Sequence, residues 1–256
     1  MQPEMGGFLM ECRQLRRAFG GVQALDGVDF SISRDEIVGL AGANGAGKST
    51  LLNAIGGQLR IDGGTIKLSG AAIERFGAHK VCQLGVGRTF QDARVYSSLT
   101  VLENVALAVA YAETSRLGRW VFGQRRLGLA MQQLRRVALD DRAQQVSGRL
   151  SVYEKKRLML ACALASRPSL LLLDEPAGGL SPEEVQATVA LCQSVKREGT
   201  AIVVVEHIMS FLSALADRVV ILHEGKVLFE GSPAQVSHEP IVRAAWLGEA
   251  SRGERQ

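Results

Sequence analysis

The hydrophobic positions of this chain follow two patterns, short unbroken apolar runs and longer stretches with helical periodicity. Residues 170–173 and Ala201–Val205 are wholly apolar, as is typical of strands buried on both faces of a parallel sheet. Residues 153–165 and Pro182–Arg197 instead repeat apolar positions at helical spacing. Strands that alternate with helices predict an α/β core.

Most of the predicted elements before position 91 are short strands. Strands are predicted over residues 9–15, 28–33, 36–41 and 85–89, helices over 49–55 and 74–82, and a hairpin over 61–70. The hairpin is expected to turn at Asp62-Gly63-Gly64, because glycine and aspartate favour tight turns.

The pattern changes between residues 92 and 166, where residues 101–112, 124–139 and 153–165 predict helices. Strands return after this segment and end in a hairpin over 219–222 and 226–229. We therefore expect one domain over 1–256. Its core comprises 1–91 and 167–248, 92–166 is an inserted helical subdomain, and 249–256 is a loose tail.

A phosphate-binding pattern follows the predicted strand at 36–41. It fits G-x-x-x-x-G-K-[ST], and the helix predicted over 49–55 supplies the context that this motif requires. Backbone N–H groups of such a loop bind phosphate oxygens, the lysine neutralises phosphate charge, and the serine hydroxyl binds Mg²⁺. The loop consists of Gly42, Ala43, Asn44, Gly45, Ala46, Gly47, Lys48, Ser49 and Thr50.

Three further predicted strands end in polar residues that fit the same chemistry. Asp174 and Glu175 follow 170–173, and the sequence predicts that Asp174 holds Mg²⁺ while Glu175 acts as general base. His207 follows Ala201–Val205 and is a candidate to bind the γ-phosphate and orient water. Gln91 follows 85–89 and is a candidate to bind Mg²⁺ and to report the nucleotide state to the helical subdomain.

Composition narrows the class of protein without identifying it. The chain has 256 residues, 46% of them hydrophobic and 22% charged, and a net charge of +4. This mild basicity does not argue for nucleic acid as a partner. Four widely spaced cysteines predict core thiols in a reducing compartment. The sequence lacks a signal-peptide pattern and a membrane-length apolar run, which predicts a soluble, cytosolic chain whose membrane role requires a partner.

The order of these motifs resembles the ATP-binding subunit of ABC transporters over nearly the whole chain. The run from Gly85 to Gln91, the run from Leu99 to Val105 and the tail from Val205 to Glu249 are similar to the branched-chain amino acid importer group. This resemblance implies the ABC ATPase fold, an α/β P-loop NTPase (RecA-like) core with an N-terminal antiparallel β subdomain and an inserted α-helical subdomain. It also implies ATP and Mg²⁺ as ligands.

The resemblance assigns further roles by position. Phe19 is expected to stack on adenine, Gln91 to be the Q-loop glutamine and His207 the switch histidine. Residues 177–181 match the D-loop, with Ser181 where many members carry aspartate. Ser151 matches the serine of the Leu-Ser-Gly-Gly-Gln signature, which in this family meets the γ-phosphate of ATP bound by a partner subunit.

The signature departs from the family pattern, because this chain has Leu-Ser-Val-Tyr-Glu at residues 150–154. Both glycines are lost, and Glu154 adds negative charge near a polyphosphate, which Lys155, Lys156 and Arg157 are expected to offset in part. We therefore expect a heterodimer with a second ABC ATPase in preference to a homodimer.

The resemblance predicts an ATPase that drives import through transmembrane permease subunits from the inner face of the cell membrane, with an extracytoplasmic solute-binding protein as an indirect partner. The cargo is expected to be a branched-chain amino acid or a related small polar solute. Three alternatives stay open: lipid or polysaccharide export, a hydrolysis-poor regulatory subunit, and a soluble ABC protein linked to nucleic acid.

Overall fold

The computed structural model of this chain describes residues 7–90, 95–113 and 123–242. Its strands are β1 (Met10–Phe19), β2 (Val22–Ile32), β3 (Ile37–Ala41), β4 (Gly63–Leu68), β5 (Ala71–Ala72), β6 (Val86–Arg88), β7 (Leu170–Asp174), β8 (Ala201–Val205), β9 (Arg218–His223) and β10 (Lys226–Gly231). Its helices are α1 (Lys48–Ile55), α2 (Ala78–Gln83), α3 (Val101–Ala112), α4 (Gln124–Arg136), α5 (Val152–Leu164), α6 (Pro182–Arg197), α7 (Met209–Leu215) and α8 (Pro233–His238).

The larger of two sheets has the strand order β10-β9-β3-β8-β7-β6. Its strands are parallel except β10, which pairs antiparallel with β9. Because parallel strands end at the same edge, the residues that follow β3, β6, β7 and β8 come together there. This edge holds the P-loop, Thr89, Asp174 and Glu206.

Alternate residues of the buried strands face two separate apolar clusters. In β7, Leu171 and Leu173 pack with residues of α3 to α8, whereas Leu170 and Leu172 pack with α1 and the antiparallel strands. The helical insert and the β subdomain therefore lie on opposite faces of the central sheet, and the parallel sheet is covered on both sides.

The smaller sheet is antiparallel, with the order β2-β1-β4-β5, and it corrects the hairpin predicted over 61–70. Gly63 is the first residue of β4 and pairs with Arg16 of β1, so no turn occurs at 62–64. Asp62 instead accepts hydrogen bonds from Arg17 (2.7 Å) and from the backbone N of Ala18 (2.8 Å). Gly64 has φ of +95°, and a Cβ there would lie 2.5 Å from a β1 carbonyl oxygen. Glycine therefore allows β4 to pack closely against β1 at this position.

Several other boundaries agree with the sequence. The predictions for α3, α6 and β8 are confirmed to the residue, and the hairpin around Glu224-Gly225 is confirmed as β9 and β10. The helix predicted over 124–139 ends at Arg136, and Ala138 has left-handed φ of 51°, which a helix does not continue through. The helix predicted over 74–82 begins only at Ala78.

The structure shows the state of the four cysteines and the character of the described helices. Cys12, Cys82, Cys162 and Cys192 are all free thiols, and Cys12 and Cys192 are buried. Burial raises the pKa of Cys162 and Cys192 to about 12, which makes both thiols unreactive near neutral pH. Within the described ranges, none of the helices has the length and apolar character needed to cross a bilayer.

Candidate active site

The P-loop joins the buried strand β3 to α1. Its last glycine, Gly47, is the N-cap of α1 with φ of 105°. A Cβ there would lie 2.4 Å from the carbonyl oxygen of Ala24, so both the backbone conformation and the available space require glycine. No side chain of the described residues caps the first turn of α1. The N-terminus of α1 therefore presents a favourable electrostatic field to an anion.

Lys48 begins α1 and folds back over the loop. Its Nζ donates hydrogen bonds to the carbonyl oxygens of Gly42 (2.6 Å) and Ala43 (2.7 Å). Burial raises the pKa of Asp174, and the positive charge of Lys48 is one of the charges that oppose this rise. A phosphate group in the loop would meet this lysine and the α1 N-terminus together.

Two distant parts of the chain hold the P-loop in place. The backbone N of Gly225, in the β9–β10 turn, donates to the carbonyl oxygen of Ala46 at 3.1 Å. The carbonyl oxygen of Gly225 in turn accepts a hydrogen bond from the backbone N of Asp26 in β2 at 2.8 Å. The β9–β10 turn thus holds the P-loop directly, and β2 of the antiparallel sheet holds that turn.

Asp174 ends β7 with a side chain that is 9% exposed. Burial raises the pKa of this carboxyl group, Arg88 and Lys48 oppose that rise, and Glu175 adds to it. The Arg88 Nη2 atom lies 3.6 Å from Asp174 Oδ2, and Nη1 donates to Gln58 Oε1 at 2.6 Å. The buried carboxylate is therefore balanced by two cations from different elements, as a buried charge requires.

Glu175 has a strained backbone. Its φ of 48° is left-handed, although the residue carries a side chain, and such strain costs about 1–3 kcal/mol. Its backbone N donates to the carbonyl oxygen of Val205 at 3.0 Å, which ties it to the end of β8. Six other described non-glycine residues also have positive φ, so this conformation alone does not mark the site.

His207 lies beyond β8 at the same edge of the sheet. Its side chain is 58% exposed, while its backbone N donates to Glu206 Oε2 at 3.0 Å. The exposed imidazole remains accessible to a ligand that enters the edge. The structure therefore brings the P-loop, Asp174, Glu175 and His207 together, as the sequence predicted for parallel strand ends.

The altered signature forms the start of α5. Ser151 is the N-cap, and its Oγ accepts a hydrogen bond from the backbone N of Glu154 at 3.2 Å. The Glu154 carboxylate accepts one from the backbone N of Ser151 at 2.8 Å. This reciprocal pair is a capping box. Val152, which replaces a glycine of the family pattern, is 56% exposed.

The cation near Glu154 is not the one expected. Arg142 Nη2 lies 3.9 Å from Glu154 Oε1. Lys156 donates to carbonyl oxygens of the segment after β7, and Arg157 donates to Val137 and Ala138. Lys156 and Arg157 therefore bond to backbone carbonyls rather than to Glu154, and the partial offset by Lys155, Lys156 and Arg157 stays a prediction.

The remaining predicted residues differ in what the structure shows. Phe19 ends β1 with a half-exposed ring, and the Arg17 guanidinium lies 4.8 Å from the ring centroid. Ser49 is exposed at the start of α1. Gln91 lies outside the described residues. The roles assigned to these side chains stay predictions.

The structure gives three charged residues of the site roles that the sequence did not predict. Arg88 neutralises Asp174, Glu206 is fully buried beside His207, and Lys156 reaches from α5 to the segment after β7. Each is a charge inside or next to an apolar run, which is the signal that could have marked it.

Comparison with known proteins agrees with this geometry. The family model described as ABC transporter matches residues 25–178. The model described as branched-chain amino acid ATP-binding cassette transporter matches residues 226–251.

Individual relatives extend the match to almost the whole chain. The chain is 32% identical over 251 residues to BraF of Pseudomonas aeruginosa, a high-affinity branched-chain amino acid transport ATP-binding protein, covering 94% of this chain and 98% of BraF. The ADP conformation of MJ1267, an ATP-binding cassette of an ABC transporter, matches with a TM-score of 0.87 and 25% identity over 94% of this chain and 99% of that one.

A dimeric structure of MJ0796, a bacterial ABC transporter cassette, matches with a TM-score of 0.78 and 25% identity, covering 88% of this chain and 98% of that one. The ABC ATPase fold predicted from the sequence is confirmed by these structures. On its family model, its relatives and the geometry of its P-loop, this chain belongs to the ABC transporter family of ATP-binding cassettes.

Proposed function

We propose that this chain hydrolyses ATP to power the import of branched-chain amino acids, or related small polar solutes, through a membrane permease. The observation that carries the proposal is the convergence of the P-loop, Asp174, Glu175 and His207 at one edge of the sheet. The match of residues 226–251 to the branched-chain amino acid group favours import over lipid or polysaccharide export.

The nucleotide would bind with its phosphates in the P-loop. The open N-terminus of α1 and the Lys48 ammonium supply positive electrostatic potential for them. Phe19 would stack on adenine, since its ring is half-exposed at the end of β1. The full set proposed for the nucleotide of this site is Phe19, Gly42, Ala43, Asn44, Gly45, Ala46, Gly47, Lys48, Ser49, Thr50 and Gln91.

Mg²⁺ would bind to Ser49, Asp174 and Gln91. Oxygen ligands suit this cation, and the described part offers an exposed hydroxyl at the start of α1 and a carboxylate held against two cations. When bound, the cation neutralises charge on the β- and γ-phosphates. The residues present fit this role, because a further positive charge near Asp174 offsets the burial of its carboxylate.

Glu175 would act as general base. It takes a proton from water while the water oxygen bonds to the γ-phosphorus and the bond to the bridging oxygen breaks, which gives ADP and phosphate. The strained backbone of Glu175 aims its side chain from the end of β7. His207, exposed beside it, would bind the γ-phosphate and orient the water.

The permease would dock against the helical region from the cytoplasmic side of the membrane. A groove there is lined by Phe90, Tyr96, Leu107, Tyr111 and other residues of β6, α3 and α5. Tyr96 and Tyr111 are both strongly exposed, and exposed aromatic residues favour protein contacts. Arg94, Arg116 and Arg119, which lie in the same segment of the sequence, are outside the described residues.

A second ABC ATPase would complete the site, since cassettes of this fold form dimers such as that of MJ0796. The Glu154 carboxylate, which stands where the family pattern has a neutral glutamine, favours a different chain as partner. The first-turn N–H groups of α5 already have a carboxylate beside them, and a partner's ATP would compete with it. Ser151 would thus serve a partner's nucleotide weakly, while the P-loop of this chain would rely on the partner's signature.

The experiment is ATP turnover by the purified chain, alone and mixed with a candidate partner ATPase. Turnover that is low alone, rises with the partner and disappears in Glu175→Gln supports the proposal. ATP binding without turnover in any mixture supports the hydrolysis-poor regulatory subunit instead, which the altered signature favours. A chain that binds no ATP contradicts both.

A further inference from the structure

A lysine from α5 reaches the backbone directly after the predicted general base. Lys156 Nζ donates hydrogen bonds to the carbonyl oxygens of Glu175 (2.8 Å), Pro176 (3.3 Å) and Gly178 (2.7 Å). An ammonium group has three protons to donate, so Lys156 spends its full capacity on this one segment, which we call the 175–178 segment.

A buried carboxylate holds the same segment from the other side. Glu206 is fully buried, and its Oε1 accepts a hydrogen bond from the backbone N of Ala177 at 2.7 Å. Its Oε2 accepts from the backbone N of His207 (3.0 Å) and of Ile208 (3.4 Å). One carboxylate therefore connects the 175–178 segment to the predicted switch histidine.

The two side chains form an electrostatic pair across the segment. Burial lowers the pKa of Lys156, while the carboxylates of Glu206 and Glu175 oppose that effect. Buried charges of this kind are unfavourable unless they are paired and hydrogen-bonded. Here the pairing runs through backbone groups, so neither charge can move without changing the path of residues 175–178.

We propose that Lys156 and Glu206 are positioning residues that together fix Glu175 and His207 in their working geometry. This inference rests on the proposed function, because it takes Glu175 as the base and His207 as the γ-phosphate contact. Glu175 is held in left-handed backbone conformation, and this strain persists only where its surroundings enforce it. The carbonyl contact from Lys156 and the carboxylate of Glu206 supply that enforcement.

The arrangement also connects α5 with the reaction centre. Lys156 lies five residues after Ser151, the N-cap of α5. A shift of α5 on contact with a partner's nucleotide would move Lys156, and with it the 175–178 segment. Contact between α5 and a partner's nucleotide would thus change the position of Glu175 through the side chain of Lys156.

If Lys156 served only to stabilise the fold, its loss would lower the free energy of unfolding, whereas a positioning role affects turnover. The buried face of α5 is apolar and includes Leu158, Ala161 and Leu164, so the helix keeps its packing when Lys156 is changed. Loss of the hydrogen bonds from Lys156 to the 175–178 segment should therefore lower turnover and leave folding and nucleotide affinity nearly unchanged.

The test compares Lys156→Met, Lys156→Arg and a control, Lys67→Met, in whichever assembly hydrolyses ATP. Lys67 lies exposed on β4, in the antiparallel sheet. We expect Lys156→Met to lower kcat by about 10- to 100-fold, the range for a misplaced catalytic group. Its dissociation constant for Mg-ATP should stay within about twofold of that of the unaltered chain. Lys156→Arg should recover most of kcat, and Lys67→Met should match the unaltered chain.

Glu206→Gln provides a second route if Lys156→Met fails to fold. The amide keeps one acceptor oxygen and removes the charge, so kcat should again fall with nucleotide affinity retained. Because both residues act on one segment, the double variant should lose less than the product of the two single losses. Effects that multiply independently, or an unchanged kcat in Lys156→Met, would overturn the inference.

The failure of this inference can be told from failure of the proposed function. If the unaltered assembly hydrolyses ATP and the variants do so equally well, only the positioning role is wrong. If the unaltered assembly does not hydrolyse ATP, the proposed function is contradicted, and the inference that rests on it is contradicted too.

Discussion

The N-termini of α1 and α5 are built in opposite ways. The first turn of α1 follows a glycine, contains no acidic residue, and receives no side-chain cap from the described residues. The first turn of α5 follows Ser151 and contains Glu154, which together form a capping box. Both helices begin at positions where the family pattern expects a phosphate, and of the two only α5 has a capping side chain and a carboxylate in its first turn among the described residues.

The comparison shows that a helix N-terminus becomes an anion site by omission. Positive potential is present at every helix start, and a capping carboxylate uses it within the chain. At α1 no cap is present among the described residues, so a ligand can interact with that positive potential. At α5 the Glu154 carboxylate interacts with it and so stabilises the helix itself. The four predictions below test this contrast, from the largest expected effect to the smallest.

Glu175→Gln should lower ATP turnover by about 100- to 10,000-fold, the contribution of a general base. Nucleotide affinity should be retained, because the variant leaves the P-loop and α1 unchanged. Steady-state turnover and equilibrium binding of Mg-ATP measure the two quantities separately. A variant that keeps more than a tenth of the turnover would show that another group takes the proton.

Gly47→Val should close the open terminus of α1. The new side chain meets the carbonyl of Ala24 and requires an unfavourable φ, so we expect a loss of ATP affinity of about 30-fold or more, equivalent to roughly 2 kcal/mol. Gly70→Ala is the matched control, since Gly70 has φ of +83° in an unobstructed turn away from the site. Equal affinity in both variants would mean that α1 does not bind the phosphates.

A restored signature should remove the carboxylate from the terminus of α5 while a neutral glutamine keeps the capping position. The triple change Val152→Gly, Tyr153→Gly and Glu154→Gln, made together with Glu175→Gln, should strengthen ATP-dependent self-association by about tenfold. That corresponds to one charged hydrogen-bond partner exchanged for phosphate contacts. Sedimentation with Mg-ATP measures the dimer. Dimerisation that is as tight with the native signature would remove the argument for a different partner chain.

Ser151→Ala should produce the smallest effect. Loss of the N-cap should lower the free energy of unfolding by about 1 kcal/mol, measured by urea denaturation, without a change in ATP affinity of the isolated chain. Ser181→Ala removes the equivalent cap of α6 and should destabilise by a similar amount. A loss of ATP affinity in Ser151→Ala alone would mean that α5 contributes to binding within its own chain.

The sequence predicted most where a pattern is local. The apolar strands β7 and β8 and the helix α6 follow from runs of residues alone, and parallel strands then determine where Asp174 and His207 lie. The turn at 62–64 was misread because Gly64 makes a close contact with β1, a partner that lies far away in sequence. The same holds for β1 and β2, which extend past the predicted 9–15 and 28–33 because they pair with each other.

The charges that surround the site escaped prediction for the same physical reason. Lys156 looked like one member of a basic run beside Glu154, and only the fold shows that it bonds to carbonyls of residues 175–178. Glu206 looked like a neighbour of His207, and its burial depends on strands β3, β7 and β8 closing around it. Tertiary contacts decide such roles, and a single sequence does not contain them.

The hydrogen bond between the β9–β10 turn and the P-loop has a consequence for folding during synthesis. Strand β3 lies between β8 and β9, and Gly225 is bonded to both Ala46 and Asp26. During synthesis the motif at 42–50 emerges early, but its neighbours leave the ribosome about 180 residues later. A chain arrested before residue 225 should therefore carry the complete motif and still fail to bind ATP, so that competence for nucleotide marks a subunit whose synthesis is nearly finished.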